Sequence, residues 1–117
     1  MSLKCHWDDE GVVVIDATGE FDAASAPLLC RPVLRFVDAG QSRFVVDLGN
    51  VGRVDSSGAR DLAGLASKIR SRGGTLAVTG GPKVRAALRG QGADRDGFVY
   101  DTVAEAARAC RSAGATR

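Results

Sequence analysis

Residues 44–58 read Phe44-Val45-Val46-Asp47-Leu48-Gly49-Asn50-Val51-Gly52-Arg53-Val54-Asp55-Ser56-Ser57-Gly58. Phe44 to Leu48 is apolar enough for a central strand, buried on both faces of a sheet. A short loop carries the chain to Asp55-Ser56-Ser57-Gly58, and a helical pattern follows over Ala59 to Arg72. Ala59, Leu62, Ala63, Ala66 and Ile69 share one face of that helix, with Leu65 beside them. Lys68, Arg70 and Arg72 near its end complement the helix dipole, and Gly73-Gly74 supplies the stop. A strand, a loop and a helix in succession begin an α/β alternation. The same stretch offers a place for a phosphate, because a helix N-terminus presents unpaired N–H groups and a partial positive charge.

Working outward, Leu3 to Trp7 reads as a short edge strand. Asp8-Asp9-Glu10-Gly11 is a charged turn, and the β-branched run Val12-Val13-Val14-Ile15 is a second strand. Thr18-Gly19-Glu20-Phe21-Asp22 then breaks that run. A helix follows, with Ser25 as N-cap, Pro27 in the first turn, and Leu29, Val33, Phe36 and Val37 at helical spacing. Pro32 removes one backbone hydrogen bond and is expected to kink or interrupt it. Beyond the serine helix, Thr75 to Thr79 is a fourth strand. Gly80-Gly81-Pro82 opens a short helix with Val84, Ala87 and Leu88 inward. Gly90 to Gly97 is a polar loop, and Phe98-Val99-Tyr100 a last strand. Thr102 and Glu105 form a capping box, and the final helix buries Val103, Ala106, Ala107 and Cys110, fraying after Ser112. The order β-β-α-β-α-β-α-β-α predicts an α/β fold. Its mixed β-sheet has four to five strands and about four α-helices, with parallel pairings after an antiparallel opening hairpin.

At 117 residues the chain is expected to be one domain, residues 1–117. Apolar residues make up 44% and charged residues 26%, the composition of a soluble globular protein. A net charge of +2 without a dense basic run gives no reason to expect nucleic acid or an anionic membrane as partner. The three cysteines, Cys5, Cys30 and Cys110, match neither a disulfide framework nor a zinc or redox signature. The chain does not open on a signal peptide and contains no apolar run of membrane-spanning length, so the expected location is cytoplasmic.

Most of the remaining candidates have plain explanations. His6 has no second histidine or Cys–His pair for a metal, so neither a metal nor a cofactor is expected. Gly80-Gly81-Pro82-Lys83 lacks the spacing and the following Ser or Thr of a phosphate-binding loop. Asp47, on a central strand, reads as a satisfied structural carboxylate. Ser56 has no His and Asp in a triad arrangement, so a hydrolase is not expected and the chain is predicted to be no enzyme. By itself, Asp55-Ser56-Ser57-Gly58 is most often only a capped turn.

In combination, these segments resemble the STAS domain family, in its anti-sigma factor antagonist type. Thr18-Gly19-Glu20-Phe21-Asp22 is similar to the family's Gly-Glu-x-Asp turn. Val45-Val46-Asp47-Leu48 through Val51 to Val54-Asp55-Ser56-Ser57-Gly58 is similar to its central strand and phosphorylation loop. Gly73-Gly74-Thr75-Leu76-Ala77-Val78 resembles the strand after its second helix. Pro82-Lys83-Val84-Arg85 through Leu88, with Phe98-Val99-Tyr100-Asp101, resembles its closing elements. Three positions depart from the pattern: Pro32 in the first helix, Ala59 in place of a larger aliphatic, and Ala93 where leucine is common.

The resemblance implies that Ser56 is phosphorylated, with Ser57 as the fallback acceptor. The kinase it implies is an anti-sigma factor serine kinase of the histidine-kinase-like ATPase type. The unphosphorylated antagonist would bind that partner and free a sigma factor, in the partner switching that regulates transcription. A PP2C-type phosphatase would reverse the modification. The implied partner surface comprises Asp22, Asp55, Ser56, Ser57, Gly58, Arg60 and Asp61. Phosphorylation adds about −1.5 to −2 charges, and beside Asp55 and Asp22 these would repel a docked partner without refolding the domain. The alternative is a STAS accessory subunit of another assembly, a lipid-transport ATPase or a stress-signalling complex, without a phosphoswitch.

Overall fold

The computed structural model describes residues 1–91 and 98–115. Most of the polar loop expected over Gly90–Gly97, including Ala93, lies outside the described residues. The elements follow the expected order: β1 (Ser2–Trp7), β2 (Val13–Phe21), α1 (Ala26–Asp38), β3 (Arg43–Val54), α2 (Ser56–Ser71), β4 (Thr75–Thr79), α3 (Pro82–Arg89), β5 (Val99–Tyr100) and α4 (Val103–Ala115). The five strands form one sheet in the order β1-β2-β3-β4-β5. β1 runs antiparallel to β2, and every other pairing is parallel. The opening turn is held by Asp8, whose Oδ1 accepts the N–H groups of Glu10 and Val12, each at 2.9 Å.

Alternation along the strands divides the core between the two faces of the sheet. Val13, Ile15, Ala17, Phe44, Val46, Leu48, Leu76 and Val78 face one way, against Leu29 and Val33 of α1, Leu62 and Ile69 of α2, and Val84 and Leu88 of α3. Val12, Val14, Val45 and Ala77 face the other way, where α4 packs on them through Ala106, Ala107 and Cys110. The small inward residues let α4 approach closely enough for the Cys110 thiol to donate to the Phe44 carbonyl at 3.4 Å. Asp47 joins strands as a structural group: its Oδ1 accepts the Thr79 hydroxyl at 3.0 Å and the Gly49 N–H at 2.9 Å. Among the described residues, no helix is long and apolar enough to cross a membrane.

Several expectations are corrected. β2 does not break at Thr18 but runs to Phe21, because it bulges against β3 between Asp16 and Thr18 and again between Gly19 and Glu20. Gly19, at φ +99°, takes the left-handed backbone conformation that other residues avoid. β3 likewise continues beyond Leu48 to Val54, paired with the lengthened β2, so the expected loop before the serines is strand. α2 begins at Ser56, one turn before Ala59. α4 runs to Ala115, past Ser112. α1 continues through Pro32 from Ala26 to Asp38. An interior proline costs about 3 kcal/mol. Fully buried Leu29 and Val33, on either side of it, contribute roughly 1.5–3 kcal/mol each and hold the helix on the sheet.

The cysteines report on this packing. Burial pushes the Cys110 thiol up to about 11; Cys5 is exposed on β1, its thiol raised by partial desolvation and by Asp16. The thiolate is the reactive form, so burial protects Cys110 both by covering it and by keeping it protonated. A disulfide reagent at pH 8 is expected to label Cys5 in the native protein, and Cys110 only after denaturant is added. Rapid labelling of Cys110 in the native state would contradict the seating of α4.

Candidate functional site

The site is assembled where β2 and β3 end together and α2 begins. A single residue, Asp55, separates Val54 of β3 from Ser56 of α2, and its backbone is extended, at φ −89° and ψ 175°. Its carboxylate Oδ1 accepts the Gly58 N–H at 2.8 Å, which satisfies one of the unpaired donors of the first turn. Its own N–H donates to the carbonyl of Phe21, at the end of β2, at 3.1 Å. The same carbonyl group lies under Gly58, where a Cβ would come within 2.9 Å of the Phe21 carbonyl carbon and of Phe21 Cδ2. The first turn of α2 therefore rests directly on the end of β2, and residue 58 can rest there because it lacks a side chain. Ala59 is fully buried. Its small size is met by the core, so this departure from the family pattern does not reach the surface.

Asp22 follows Phe21 and caps the chain leading into α1. Its Oδ1 accepts the Ser25 N–H at 2.9 Å, and its backbone carbonyl accepts the Ala26 N–H at 2.8 Å. Ser25, expected as the N-cap, makes no side-chain cap bond to α1. Its hydroxyl reaches back instead, donating to the Glu20 carbonyl at 2.8 Å and accepting the Asp22 N–H at 2.9 Å. Ser25 remains the N-cap residue by position, and the Asp22 carboxylate holds the Ser25 N–H from three residues upstream. The Ser25 N–H and then its hydroxyl hold the Asp22 carboxyl below the usual carboxylate range, with a smaller contribution from Arg53. A lowered folded-state value means that this stabilisation is present above the ordinary carboxylate range and is lost as pH falls below that range through the lowered value. Arg53 also pairs with Glu20 across the β2–β3 register at 3.7 Å, both side chains largely exposed, so the pair contributes little.

The expected site residues thus fall into two groups. Asp55 and Gly58 meet at the Phe21 carbonyl, with Asp22 next to Phe21 in the chain and Ser56 and Ser57 between Asp55 and Gly58. Arg60 and Asp61 lie one turn further along α2, both exposed, at the mouth of a groove of about 520 Å³ between α1 and α2. Cys30, Arg31 and Leu34 line its α1 side, and Arg60, Asp61 and Lys68 line its α2 side. Ser56 is exposed and Ser57 half-buried. Among the described residues, neither hydroxyl has a hydrogen-bond partner. Glu20, Ser25 and Arg53 were not expected at the site. The bulges that bring Glu20 opposite Arg53 leave no signal in hydrophobic periodicity.

The description of the STAS domain family fits residues 8–106 of the chain. A comparison with curated protein sequences finds no match. Among solved structures, an anti-sigma factor antagonist from Mycobacterium paratuberculosis is 28% identical, with 94% of this chain and 93% of that one covered, at a TM-score of 0.80. A candidate anti-sigma factor antagonist from Thermotoga maritima is 26% identical, with 93% and 94% covered, at a TM-score of 0.82. The antagonist SpoIIAA in its unphosphorylated form shares the fold at 19% identity, with 95% and 97% covered, at a TM-score of 0.78.

The close approach at Gly58 can be separated from helix propensity within α2. A Cβ at the exposed Gly64 would meet open space. Gly64→Ala is therefore expected to stabilise the fold by up to about 1 kcal/mol. Gly58→Ala should instead destabilise it by roughly 1–3 kcal/mol, and Asp55→Ala by about 1 kcal/mol through the lost cap. Urea unfolding of the variants measures all of these effects. A stabilising Gly58→Ala would contradict the contact with Phe21.

Proposed function

We infer that this chain, which belongs to the STAS domain family, is an anti-sigma factor antagonist switched by phosphorylation of Ser56. In this reading it is a binding module without catalytic activity. Its unphosphorylated form docks, through the exposed N-terminal turns of α2, on an anti-sigma factor that is also a serine kinase, and so frees a sigma factor. The reading draws support from the two antagonist structures at 26% and 28% identity, each covering nearly all of the chain. The observation that carries it is the state of Ser56: exposed, at the first helical position, with its hydroxyl unpartnered among the described residues.

The chemistry on this side is limited to presenting an oxygen. The Ser56 Oγ attacks the γ-phosphorus of ATP held by the kinase. The bond from that phosphorus to the β,γ-bridging oxygen breaks, ADP leaves, and the hydroxyl proton is released. No element of the fold needs to move for this, because Asp55 already caps α2 and the serine holds nothing in place. The added phosphate then stands beside Asp55, near Asp22. Like charges brought together in an interface cost several kcal/mol. That corresponds to at least a hundredfold loss of partner affinity at about 1.4 kcal/mol per tenfold. A PP2C-type phosphatase would restore the binding form by hydrolysing the phosphate ester.

Incubation with the cognate kinase and ATP is expected to add one phosphate, and Ser56→Ala to abolish the addition. Intact-mass measurement showing normal phosphorylation of that variant would sink the assignment to Ser56.

A further inference from the structure

The two adjacent serines at the start of α2 differ in their neighbours one turn along the helix: Ser56 has Arg60, and Ser57 has both Arg60 and Asp61. Residues four apart on a helix lie on the same face with Cβ atoms about 5–6 Å apart, and side chains lean toward the helix N-terminus. Ser56 is four residues before Arg60, and Ser57 is four residues before Asp61, all within the continuous helix Ser56–Ser71. Arg60 and Asp61 are both exposed, and among the described residues neither has an ion-pair partner. Each is free to answer a charge placed on the serine preceding it.

We propose that Arg60 is the internal counter-ion of a phosphate on Ser56, and that Asp61 opposes a phosphate on Ser57, so that this helix holds the modification at Ser56. This rests on the reading of α2 as a phosphoacceptor helix. The sense of the pair is the favourable one, with the anion N-terminal and the cation four residues later. A guanidinium can also meet a phosphate with two parallel hydrogen bonds. Other charged groups lie on the elements that meet here: Glu20 and Asp22 on β2 and its end, Arg53 and Asp55 on β3 and its end, and Arg31 and Lys68, which line the groove with Arg60 and Asp61. These groups and the N-terminal dipole act on both positions; Arg60 neighbours both serines, four residues from Ser56 and three from Ser57, whereas Asp61 neighbours Ser57 alone, so only the phosphate on Ser56 has the cation without the opposing carboxylate. The pairing also deepens the switch. Once Ser56 carries phosphate, Arg60 is drawn to it and withdrawn from the mouth of the groove, so the partner meets an added anion and loses a cation.

The test needs no kinase. Full-length protein is made with phosphoserine incorporated during translation at position 56 or at position 57, and the second ionisation of the phosphate is followed by phosphorus NMR. That ionisation lies near pH 6 for an unperturbed phosphoserine. The phosphate at 56 is expected to titrate below the one at 57. Arg60→Gln should raise the value at 56 by roughly 0.15–0.4 unit, and Arg60→Lys should recover part of the shift. Asp61→Asn should lower the value at 57. A value at 56 unmoved by Arg60→Gln, or a phosphate at 57 that titrates below the one at 56, would overturn the proposal. Failure of a kinase to modify Ser56 would overturn the switch and leave these titrations standing, so the two failures are distinguishable.

Discussion

The carbonyl of Phe21 accepts the Asp55 N–H at 3.1 Å, and the first turn of α2 closes over the same residue because position 58 has no side chain. The arrangement of the site follows from this contact. It joins the ends of two parallel strands to the start of one helix. It fixes where α2 begins, and therefore which residues occupy the first turn. Phe21 is itself fully buried in the core beneath α1 and α2, so the contact is anchored by packing as well as by the hydrogen bond. Asp22 follows Phe21 directly and caps the approach to α1, which places two carboxylates, Asp22 and Asp55, on either side of one backbone junction.

That construction separates the chemistry from the fold. Asp55 supplies the cap, Gly58 the close approach and Ala59 the buried wedge. Ser56 supplies none of these and stays exposed. A group added to Ser56 alters charge at a surface that is already formed. The helix N-terminus tolerates the anion, and the neighbouring carboxylates make it costly to any protein that must cover it. A switch of this kind needs no second conformation.

Periodicity made the framework legible. The apolar runs at Val12–Ile15, Phe44–Leu48 and Thr75–Thr79 and the helical spacing from Ala59 to Ile69 led to the correct order of elements, because the core is built from regular alternation and helical faces. The ordered motifs resembling the STAS family also identified the family to which the chain belongs. What failed was local. β2 passes through Gly19 on bulges, and periodicity has no signature for a bulge. The proline at 32 was expected to interrupt α1, but the burial of Leu29 and Val33 outweighs its cost. Ser25 stands at the N-cap position of α1 as expected, but its hydroxyl turns back to Glu20 and Asp22 in place of capping the helix, a choice settled by three-dimensional reach. At the site, the chemistry of Asp55-Ser56-Ser57-Gly58 was readable as a helix start. The role of Gly58 against Phe21 was not, since it depends on a residue far away in sequence.

The central claim is that phosphate on Ser56 changes the surface and leaves the fold intact. Amide proton–nitrogen NMR spectra of the full chain, with serine and with phosphoserine at position 56, test it most directly. The account predicts chemical-shift changes confined to the junction and its neighbours, residues 20–25 and 54–61, with the amides of Phe44, Val46, Leu76 and Val78 unmoved. Shifts spreading through those central strands, or loss of the dispersed spectrum, would contradict it.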